Sequence, residues 1–351
     1  MKIIAFYLPQ FHQIPENDKW WGKGFTEWTN TRKAKPLFPG HYQPREPFQN
    51  NYYNLTDPKA RKWQAEIAKK YGIYGFCYYH YWFKGKMLLE RPFKEVLKTG
   101  EPDFPFCLSW ANEPWTRRWD GLDHHVLMPQ DYGSKEDWKQ HFDYLLPAFL
   151  DRRYIRVNGK PLFIIYRPGH IPFCEEMLKY WDNLAKQNGL KGIFFVETLN
   201  SFPNSNVKGF HARVEFEPLY TTYHGECQNL SKTVGGFQGD RHVKDYDRVW
   251  SCILRRKPDK NKKTFPGAFV DWDNTARKGD EAGIFAGASP EKFSKYLTRQ
   301  IHRAVSLYKS DFLFINAWNE WAEGAYLEPD KKYGFQYLKA LKKALRNNGF
   351  K

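Results

Sequence analysis

The amino-acid sequence predicts an α/β fold, a (β/α)8 TIM barrel with a long loop after the first strand. Eight short apolar runs have the length of buried strands, and they alternate with amphipathic helical stretches. Most of these runs are apolar throughout, as strands buried on both faces of a parallel sheet must be. No internal repeat or linker divides the 351 residues, so we expect a single domain spanning residues 1–351.

The predicted elements follow one another along the whole chain. The strands are Ile3–Pro9, Gly72–Tyr79, Pro105–Trp110, Pro161–Tyr166, Gly192–Glu197, Arg213–Glu217, Gly267–Asp271 and Phe312–Ala317. The helical patterns between them include Asp57–Lys70, Lys135–Leu150, Pro172–Gln187, Ser289–Leu307 and Tyr333–Asn347. Two of these helices begin with a capping Asp or Ser followed by proline, which is a typical helix start. Residues 10–56, rich in Pro, Gly, Trp and Asn, are predicted to form one long loop on the active-site face.

Polar and aromatic side chains accumulate just past the C-terminal ends of the predicted strands. One such residue could simply be satisfied at a strand end, but their repetition at nearly every strand indicates a binding cleft. The candidate binding residues are Tyr7, His12, Trp28, His80, Trp110, Asn112, Glu113, Tyr166, Arg167, Glu197, Glu217, Asp271, Asp273, Trp318 and Asn319. Strands one and eight must be neighbours for the barrel to close, so we expect Tyr7 and His12 to lie beside Glu320.

The last predicted strand leads into two glutamates that are the candidate catalytic residues. The segment Asn316–Gly324 reads NAWNEWAEG, with Glu320 and Glu323 among tryptophans. Residues three apart on a continuous strand face opposite sides, but a turn where the strand ends would bring both carboxylates into one cavity. Such a pair between aromatic walls suits cleavage of a glycosidic bond, in which one group stays protonated and the other acts as base or nucleophile. The alternative interpretation is a pair of surface glutamates at a helix N-terminus.

Composition and charge narrow the class of ligand. Hydrophobic residues make up 41% of the chain and aromatic residues 18%, including 14 Trp. Flat aromatic faces with polar edges suit sugar rings, so this excess favours a carbohydrate or nucleobase ligand. The net charge is +16, and its densest cluster, Arg255–Lys263, is predicted to be a solvated loop. A merely basic surface, an anionic glycan or an anionic membrane surface would each explain it; no nucleic-acid motif is visible, so no nucleic-acid partner is expected.

The cysteines and the N-terminus indicate the compartment. Cys77, Cys107, Cys174, Cys227 and Cys252 are scattered and lack metal-ligand spacing, and the first two lie in apolar runs as small core residues. The first residues read as a strand rather than a secretory signal, and no apolar run is long enough to span a membrane. These features predict a cytoplasmic location.

Several of the motifs together carry a family resemblance. Phe6–His12 (FYLPQFH), Trp110–Glu113 (WANE) and Trp318–Gly324 (WNEWAEG) resemble the WbsX-type proteins, family 99-like proteins commonly encoded with bacterial O-antigen and capsule biosynthesis enzymes. This resemblance covers essentially the whole chain. Trp318–Gly324 with the downstream Glu328–Pro329 is also similar to the catalytic signature of glycoside hydrolase family 99, the endo-α-mannosidase and mannanase family.

The resemblance implies a mechanism and a substrate class. Family 99 enzymes are metal-independent retaining hydrolases on (β/α)8 barrels, so neither metal nor cofactor is expected. By resemblance, Glu320 deprotonates the 2-hydroxyl of the sugar, which attacks the anomeric carbon to give a 1,2-anhydro intermediate. Glu323 protonates the leaving oxygen and then activates water or an acceptor. The implied substrate is an oligosaccharide or polysaccharide of bacterial surface-polysaccharide metabolism, expected to be lipid-linked if the protein works peripherally at the inner membrane.

Three alternatives stay open at this point. WbsX-type proteins are often described as glycosyltransferases, although the chain lacks a glycine-rich phosphate loop and a Rossmann-like nucleotide-sugar domain. Asn112–Pro114 resembles the acid/base Asn-Glu of other retaining barrel glycosidases, with Asp271 and Asp273 as the strand-seven carboxylates. A carbohydrate-binding barrel without turnover would need only an aromatic cleft, but it would have little reason to bury two like charges.

Overall fold

A computed structural model describes residues 1–117, 122–224, 227–235 and 242–350, with residues 122–124 in backbone only. The barrel strands are β1 (Lys2–Tyr7), β2 (Ile73–Phe83), β3 (Phe106–Trp110), β4 (Lys160–Ile165), β5 (Phe194–Leu199), β6 (Ala212–Glu215), β7 (Thr264–Phe265 and Gly267–Phe269) and β8 (Phe312–Asn316). The helices are α1 (Pro15–Trp21), α2 (Glu27–Lys33), α3 (Pro58–Tyr71), α4 (Arg91–Thr99), α5 (Lys135–Leu150), α6 (Cys174–Gln187), α7 (Leu219–His224), α8 (Tyr246–Arg255), α9 (Thr275–Lys278), α10 (Pro290–Ser306) and α11 (Gln336–Asn347).

Neighbouring barrel strands pair in parallel, from β1 through β6, and β8 lies on the other side of β1. The seventh strand closes the ring in two pieces. Thr264–Phe265 pair with β6, and Gly267–Phe269 pair with β8. Pro266 separates the pieces because it has no amide hydrogen to donate to either neighbour. Gly267 is required here, since a Cβ would lie 2.0 Å from the Glu215 carbonyl oxygen of β6.

This architecture confirms the predicted fold class, and all eight strands lie where the apolar runs placed them. The clearest boundary difference is β2, which continues to Phe83 and pairs with the short antiparallel strand Lys86–Leu88. Residues 10–56 are not one loop, because they contain α1 and α2 and a 3-10 turn at Phe48–Asn50. These elements are too short to show a clear period in the sequence, and their buried contacts with the barrel hold them in place.

Side chains of each barrel strand alternate between the barrel interior and the layer beneath the helices. On β1, the Phe6 ring packs against Tyr79, Phe216 and Phe314 inside the barrel. The next residue, Tyr7, points outward under α3. This alternation decides which strand-end residues can reach the cleft.

Four of the five cysteines fall into two groups, and the fifth, Cys174 of α6, is free and buried. Cys77 of β2 and Cys107 of β3 are register partners and fully buried, which confirms the expectation that they are small core residues. Cys227 and Cys252 form a disulfide between the segment after α7 and helix α8, and nothing in their spacing predicted that bond. Among the described residues, no helix is both long enough and apolar enough to cross a membrane.

The basic segment Arg255–Lys263 is only partly the solvated loop that the sequence predicts. Arg256 is half-buried and donates to Glu217 at 2.6 Å, and Lys262 donates to Glu197 at 2.8 Å. The segment joins α8 to β7, and a helix-to-strand connection in this fold lies at the end of the barrel opposite the active-site face. Lys257, Lys260 and Lys263 are exposed there.

Candidate active site

A cleft of about 400 Å³ opens at the C-terminal ends of the barrel strands. Its lining combines polar and aromatic side chains with a few apolar ones. The lining residues are Leu8, Gln10, Trp21, Tyr79, Tyr81, Ala111, Glu113, Pro114, Trp115, Thr116, Tyr166, Arg167, Phe216, Leu219, Trp272, Arg277, Glu320 and Glu323. The cleft is large enough for a substrate of more than one small ring, since ligand sites of this kind span a few hundred Å³.

The chain turns sharply after β8, and this turn brings Glu320 and Glu323 to the same cleft. Asn319–Glu320 form a two-residue strand paired with Ala325–Tyr326, and a 3-10 turn over Trp321–Glu323 connects them. Gly324 ends the turn in the left-handed conformation, with φ 64°. On a continuous strand the two glutamates would point to opposite faces, and the turn lets both point into the cleft.

Asp273 fixes the turn from behind. Its backbone amide donates to the Glu323 carbonyl at 2.7 Å. A Cβ on Gly324 would lie 3.0 Å from that same amide nitrogen, so position 324 needs glycine for packing as well as for its positive φ. This tight contact fixes the backbone position of Glu323.

Arg277 of α9 connects three carboxylates at the floor of the cleft. Its Nη1 donates to Glu323, and its Nη2 donates to Glu320 at 3.2 Å. Nε and Nη2 also donate to one oxygen of Glu27, at 3.1 and 2.6 Å. Glu27 is fully buried behind Arg277, whereas Glu320 and Glu323 face the cleft. One guanidinium therefore neutralises three closely spaced acids only in part.

This arrangement favours protonation of the glutamate pair. Burial raises the pKa of Glu320 well above its ordinary value, the nearby Glu323 raises it further, and Arg277 opposes the change. Burial also raises the pKa of Glu323, again against the opposing charge of Arg277. The two groups are close enough to titrate as one unit, and that unit retains a proton at pH values where an isolated glutamate has lost it.

A third acid, Glu328, supports the turn without entering the cleft. It accepts hydrogen bonds from the Trp321 indole at 2.6 Å, from Gln64 at 2.7 Å and from the Tyr53 hydroxyl at 2.8 Å. Burial raises its pKa to about 7. The Trp321 ring stacks on Tyr326 with centroids 3.9 Å apart. These contacts fix the residue between the two glutamates.

Comparison with known proteins assigns the chain to a family. Residues 3–341 match a family model described as Glycosyltransferase WbsX. The uncharacterized protein WxcX of Xanthomonas campestris pv. campestris is 39% identical over 347 residues, which cover 98% of this chain and 49% of WxcX. The chain belongs to the WbsX family. It spans about half the length of the curated relatives it matches.

Solved structures show the same fold at low sequence identity. A GH99 endo-α-mannosidase from Bacteroides thetaiotaomicron is 14% identical with a TM-score of 0.59, covering 99% of this chain and 98% of that one. A structure described as a glycoside hydrolase-like protein has a TM-score of 0.62 at 13% identity, covering 98% and 93%. The WbsX chain thus has the same barrel fold as these structures.

Five predicted site residues of the WbsX chain line the cleft. They are Glu113, Tyr166, Arg167, Glu320 and Glu323. Arg167 donates to Glu113 at 2.7 Å, and its guanidinium lies 3.4 Å from the centre of the Phe202 ring. Asn112 lies beneath this pair, where its amide exchanges hydrogen bonds with the backbone N–H and carbonyl of Arg167. Asn112 therefore orients the polar pair instead of touching a ligand.

Three predicted binding residues point out of the barrel. Tyr7 donates to Gln64 of α3 at 2.6 Å, so the prediction that it lies beside Glu320 is wrong. His80 packs beneath α5, 2.8 Å from the His141 ring nitrogen, and burial lowers its pKa to about 3. Trp110 contacts the same His141 ring edge-on. Each lies on the outward side of its strand, as alternation requires.

Three others support the Trp321–Glu323 turn from behind. Trp28 packs its ring on Trp321, with centroids 5.3 Å apart. Asn319 accepts from the Leu8 amide at 2.7 Å and donates to the Leu8 carbonyl at 2.9 Å, which ties the turn to the end of β1. Trp318 is fully buried. These residues lie near the cleft, as predicted, but one layer behind its lining.

His12, Glu197 and Glu217 also lie outside the cleft lining. His12 is buried with a ring nitrogen 3.0 Å from the Pro9 carbonyl, and burial lowers its pKa. Glu197 pairs with Arg213 at 2.7 Å, and Glu217 is held by the basic segment described above. Their predicted contact with substrate is not supported by these positions.

The strand-seven acids occupy a second, smaller cavity of about 130 Å³. Asp271 pairs with Arg45 at 3.0 Å, and Asp273 accepts from His41 at 2.8 Å. Burial disfavours the charge on Asp273, but the hydrogen bond from His41 and the charge of Arg45 prevail and lower its pKa to about 2. The structure therefore does not bring the alternative pair of Glu113 and a strand-seven aspartate into one cavity.

No sequence pattern marks Arg277, which pairs with three carboxylates in the site. Arg277 lies on the four-residue helix α9, and in the sequence nothing distinguishes it from an exposed Arg. Tyr79 and Tyr81 line the cleft on either side of His80, because they are the inward positions of β2. Within the described residues, no group of three or more His, Cys, Asp or Glu side chains is arranged to hold a metal ion.

Proposed function

We propose that this domain cleaves or transfers glycosidic linkages by a retaining mechanism in which Glu320 and Glu323 share the acid and base roles. One observation carries the proposal: both carboxylates face one aromatic-walled cleft and contact the same guanidinium. Two acids with shifted proton affinity in a cleft of this size are what glycoside chemistry requires.

Glu320 acts as the base in the proposed first step. It takes the proton of the sugar 2-hydroxyl as that oxygen attacks the anomeric carbon, and a 1,2-anhydro sugar forms. Glu323 gives its proton to the departing glycosidic oxygen, so the pair ends the step with the same number of protons. In the second step, Glu323 removes a proton from water or a sugar hydroxyl, which opens the three-membered ring, and Glu320 returns its proton to the 2-oxygen.

Each step needs exchange of one proton within a pair that holds one. The raised pKa of both glutamates supports that state near neutral pH. Burial raises the pKa of both glutamates, and a hydrogen bond from the sugar 2-hydroxyl would favour the charged form of Glu320. Substrate binding would thus direct the shared proton to Glu323.

A transferase reaction that uses an activated sugar donor is the second candidate, and the description of the family model favours it. The two reactions differ in the leaving group, which is a sugar oxygen in one and a phosphate in the other. A phosphate leaves without protonation, so a transferase of that kind would have less need of an acid at Glu323.

A panel of donors with and without sugar acceptors tests the proposed function. We expect purified protein to turn over α-mannosides or other glycosides with retention, and to leave the matching 2-deoxy and 2-fluoro compounds intact. The reason is that the proposed nucleophile is the 2-hydroxyl itself. Mass spectrometry and NMR of the products give the measurement. Turnover confined to nucleotide- or diphosphate-linked sugars would support the transferase, and turnover of a 2-deoxy glycoside would exclude the anhydro intermediate.

A lipid-linked glycan at an anionic membrane surface is the finer form of this proposal. Exposed Lys257, Lys260 and Lys263 lie opposite the cleft, so we expect their charge to attract the protein to a bilayer without touching the reaction. Changing all three to Gln should weaken co-sedimentation with anionic vesicles at low salt and leave turnover of a small soluble glycoside unchanged. Lys262 stays intact because Glu197 needs it. Equal vesicle binding by both proteins would remove this loop from the proposal.

A further inference from the structure

Glu27 is a buried acid that the proposed steps do not use. It is the first residue of α2, fully buried, and absent from the cleft lining. Its backbone amide donates to the carbonyl of Gln10, a cleft residue, at 2.9 Å. The chain thus anchors Glu27 directly behind the floor of the site.

The side chain of Glu27 binds Arg277 at two of its nitrogens through a single oxygen, at 2.6 and 3.1 Å. The remaining contacts of Arg277 with the acids go from Nη1 to Glu323 and from Nη2 to Glu320, the latter at 3.2 Å. A guanidinium has a rigid fork, so fixing two of its nitrogens fixes the direction of the third. Glu27 therefore fixes the orientation of the Arg277 guanidinium between Glu320 and Glu323.

The charge of Glu27 acts on the glutamate pair as well. Among the described residues, the groups with the largest electrostatic effect on the pair are Arg277 and Lys278 of α9 and Glu27 of α2. Tyr79 and Tyr81 of β2 and Tyr166 line the same cleft, as do Glu113 and Arg167, which pair with each other. Burial raises the pKa of Tyr79 and Tyr81, so they stay neutral. Glu27 is the acid outside the proposed pair that binds Arg277, and it cancels part of the positive charge that would otherwise ionise that pair.

We propose that Glu27 is a positioning residue that holds Arg277 in place and, through its negative charge, keeps one proton on the Glu320–Glu323 pair. The inference rests on the proposed function, because it gives Glu27 the task of setting the pH range of that reaction. Glu27 never meets the substrate. Its effect passes through Arg277 and the electric field at the floor of the cleft.

The isosteric variant Glu27→Gln separates charge from position, since its amide oxygen can still accept from Arg277. We expect its profile of kcat/KM against pH to move to lower pH by about one unit relative to wild type. Glu27→Asp, which keeps the charge, should stay close to the wild-type profile even if its rate falls. The matched control is Glu215→Gln, a buried carboxylate bound by Arg256 and Tyr308 outside the cleft, which should not move the profile.

A second readout does not depend on turnover. The folded-state pKa values of Glu320 and Glu323 are raised, so their contribution makes the fold less stable as pH rises from the unfolded value through the raised range. In Glu27→Gln this decline of Tm with pH should end at a lower pH and be smaller, because the variant lowers the folded-state pKa and leaves the unfolded value unchanged. A wild-type protein that turns over no glycoside would refute the proposed function and leave this test intact. A Glu27→Gln protein with wild-type pH dependence in both readouts, or a rate lowered equally at every pH, would overturn the role of Glu27.

Discussion

Changing Glu320 to Gln or Glu323 to Gln is expected to lower kcat by about 10²–10⁴-fold while the fold and ligand binding persist. Each variant keeps the shape of the side chain and removes one proton-transfer group. Both also remove a buried carboxyl with a raised pKa, so neither should lower Tm at neutral pH. Steady-state kinetics measures kcat, isothermal titration calorimetry with an oligosaccharide measures ligand binding, and thermal unfolding measures Tm.

The leaving group distinguishes the two roles. Dinitrophenolate leaves a dinitrophenyl glycoside without being protonated. The rate of the first step on that substrate should therefore be largely restored in Glu323→Gln but not in Glu320→Gln. The matched control is Glu113→Gln, which changes a glutamate in the same cleft that lies outside the proposed pair. If Glu113→Gln abolished turnover while both other variants retained it, the assignment of Glu320 and Glu323 would fail.

Replacing Arg277 with Met is expected to have the largest effect on stability. The change leaves Glu27, Glu320 and Glu323 without their shared cation in a buried setting. Removing one partner of a buried ion cluster costs about 3–5 kcal/mol in free energy of unfolding. Urea denaturation at neutral pH measures this loss, and activity should vanish with it.

The pH dependence identifies the cause of that loss. Protonated acids need no cation, so the deficit of Arg277→Met should shrink as pH falls toward the ordinary range of glutamate. The control is Arg91→Met, which removes an Arg whose side chain is 67% exposed beside Glu95 and should change the free energy of unfolding little at any pH. A deficit of Arg277→Met that stays constant with pH would point to lost packing instead of lost charge.

The sequence predicted the barrel because strands buried on both faces must be apolar along their length. That requirement is local, and it is visible in runs such as Phe312–Ile315. It also predicted that polar residues at the C-terminal strand ends share one face. The short elements α1, α2 and α9 escaped prediction because a helix of four to seven residues depends on tertiary contacts for its stability.

Sequence position alone was a poor guide to which strand-end residues reach the cleft. His80 was selected, and its neighbours Tyr79 and Tyr81 line the cavity instead. A shift of one residue along a strand exchanges the inward and outward sides, and a strand that is apolar on both faces carries no alternation to mark them. The outward position of Tyr7 has the same origin.

The sequence by itself determined the fold class, the family and the two glutamates of the turn, since each depends on residues close together in the chain. Only the tertiary structure decided that a guanidinium from α9 and an acid from α2 meet those glutamates. Glu27 and Arg277 are 250 positions apart, and Arg277 is 46 positions from Glu323. No local pattern records such a meeting, because it arises when barrel closure brings the loops after β1, β7 and β8 to one point.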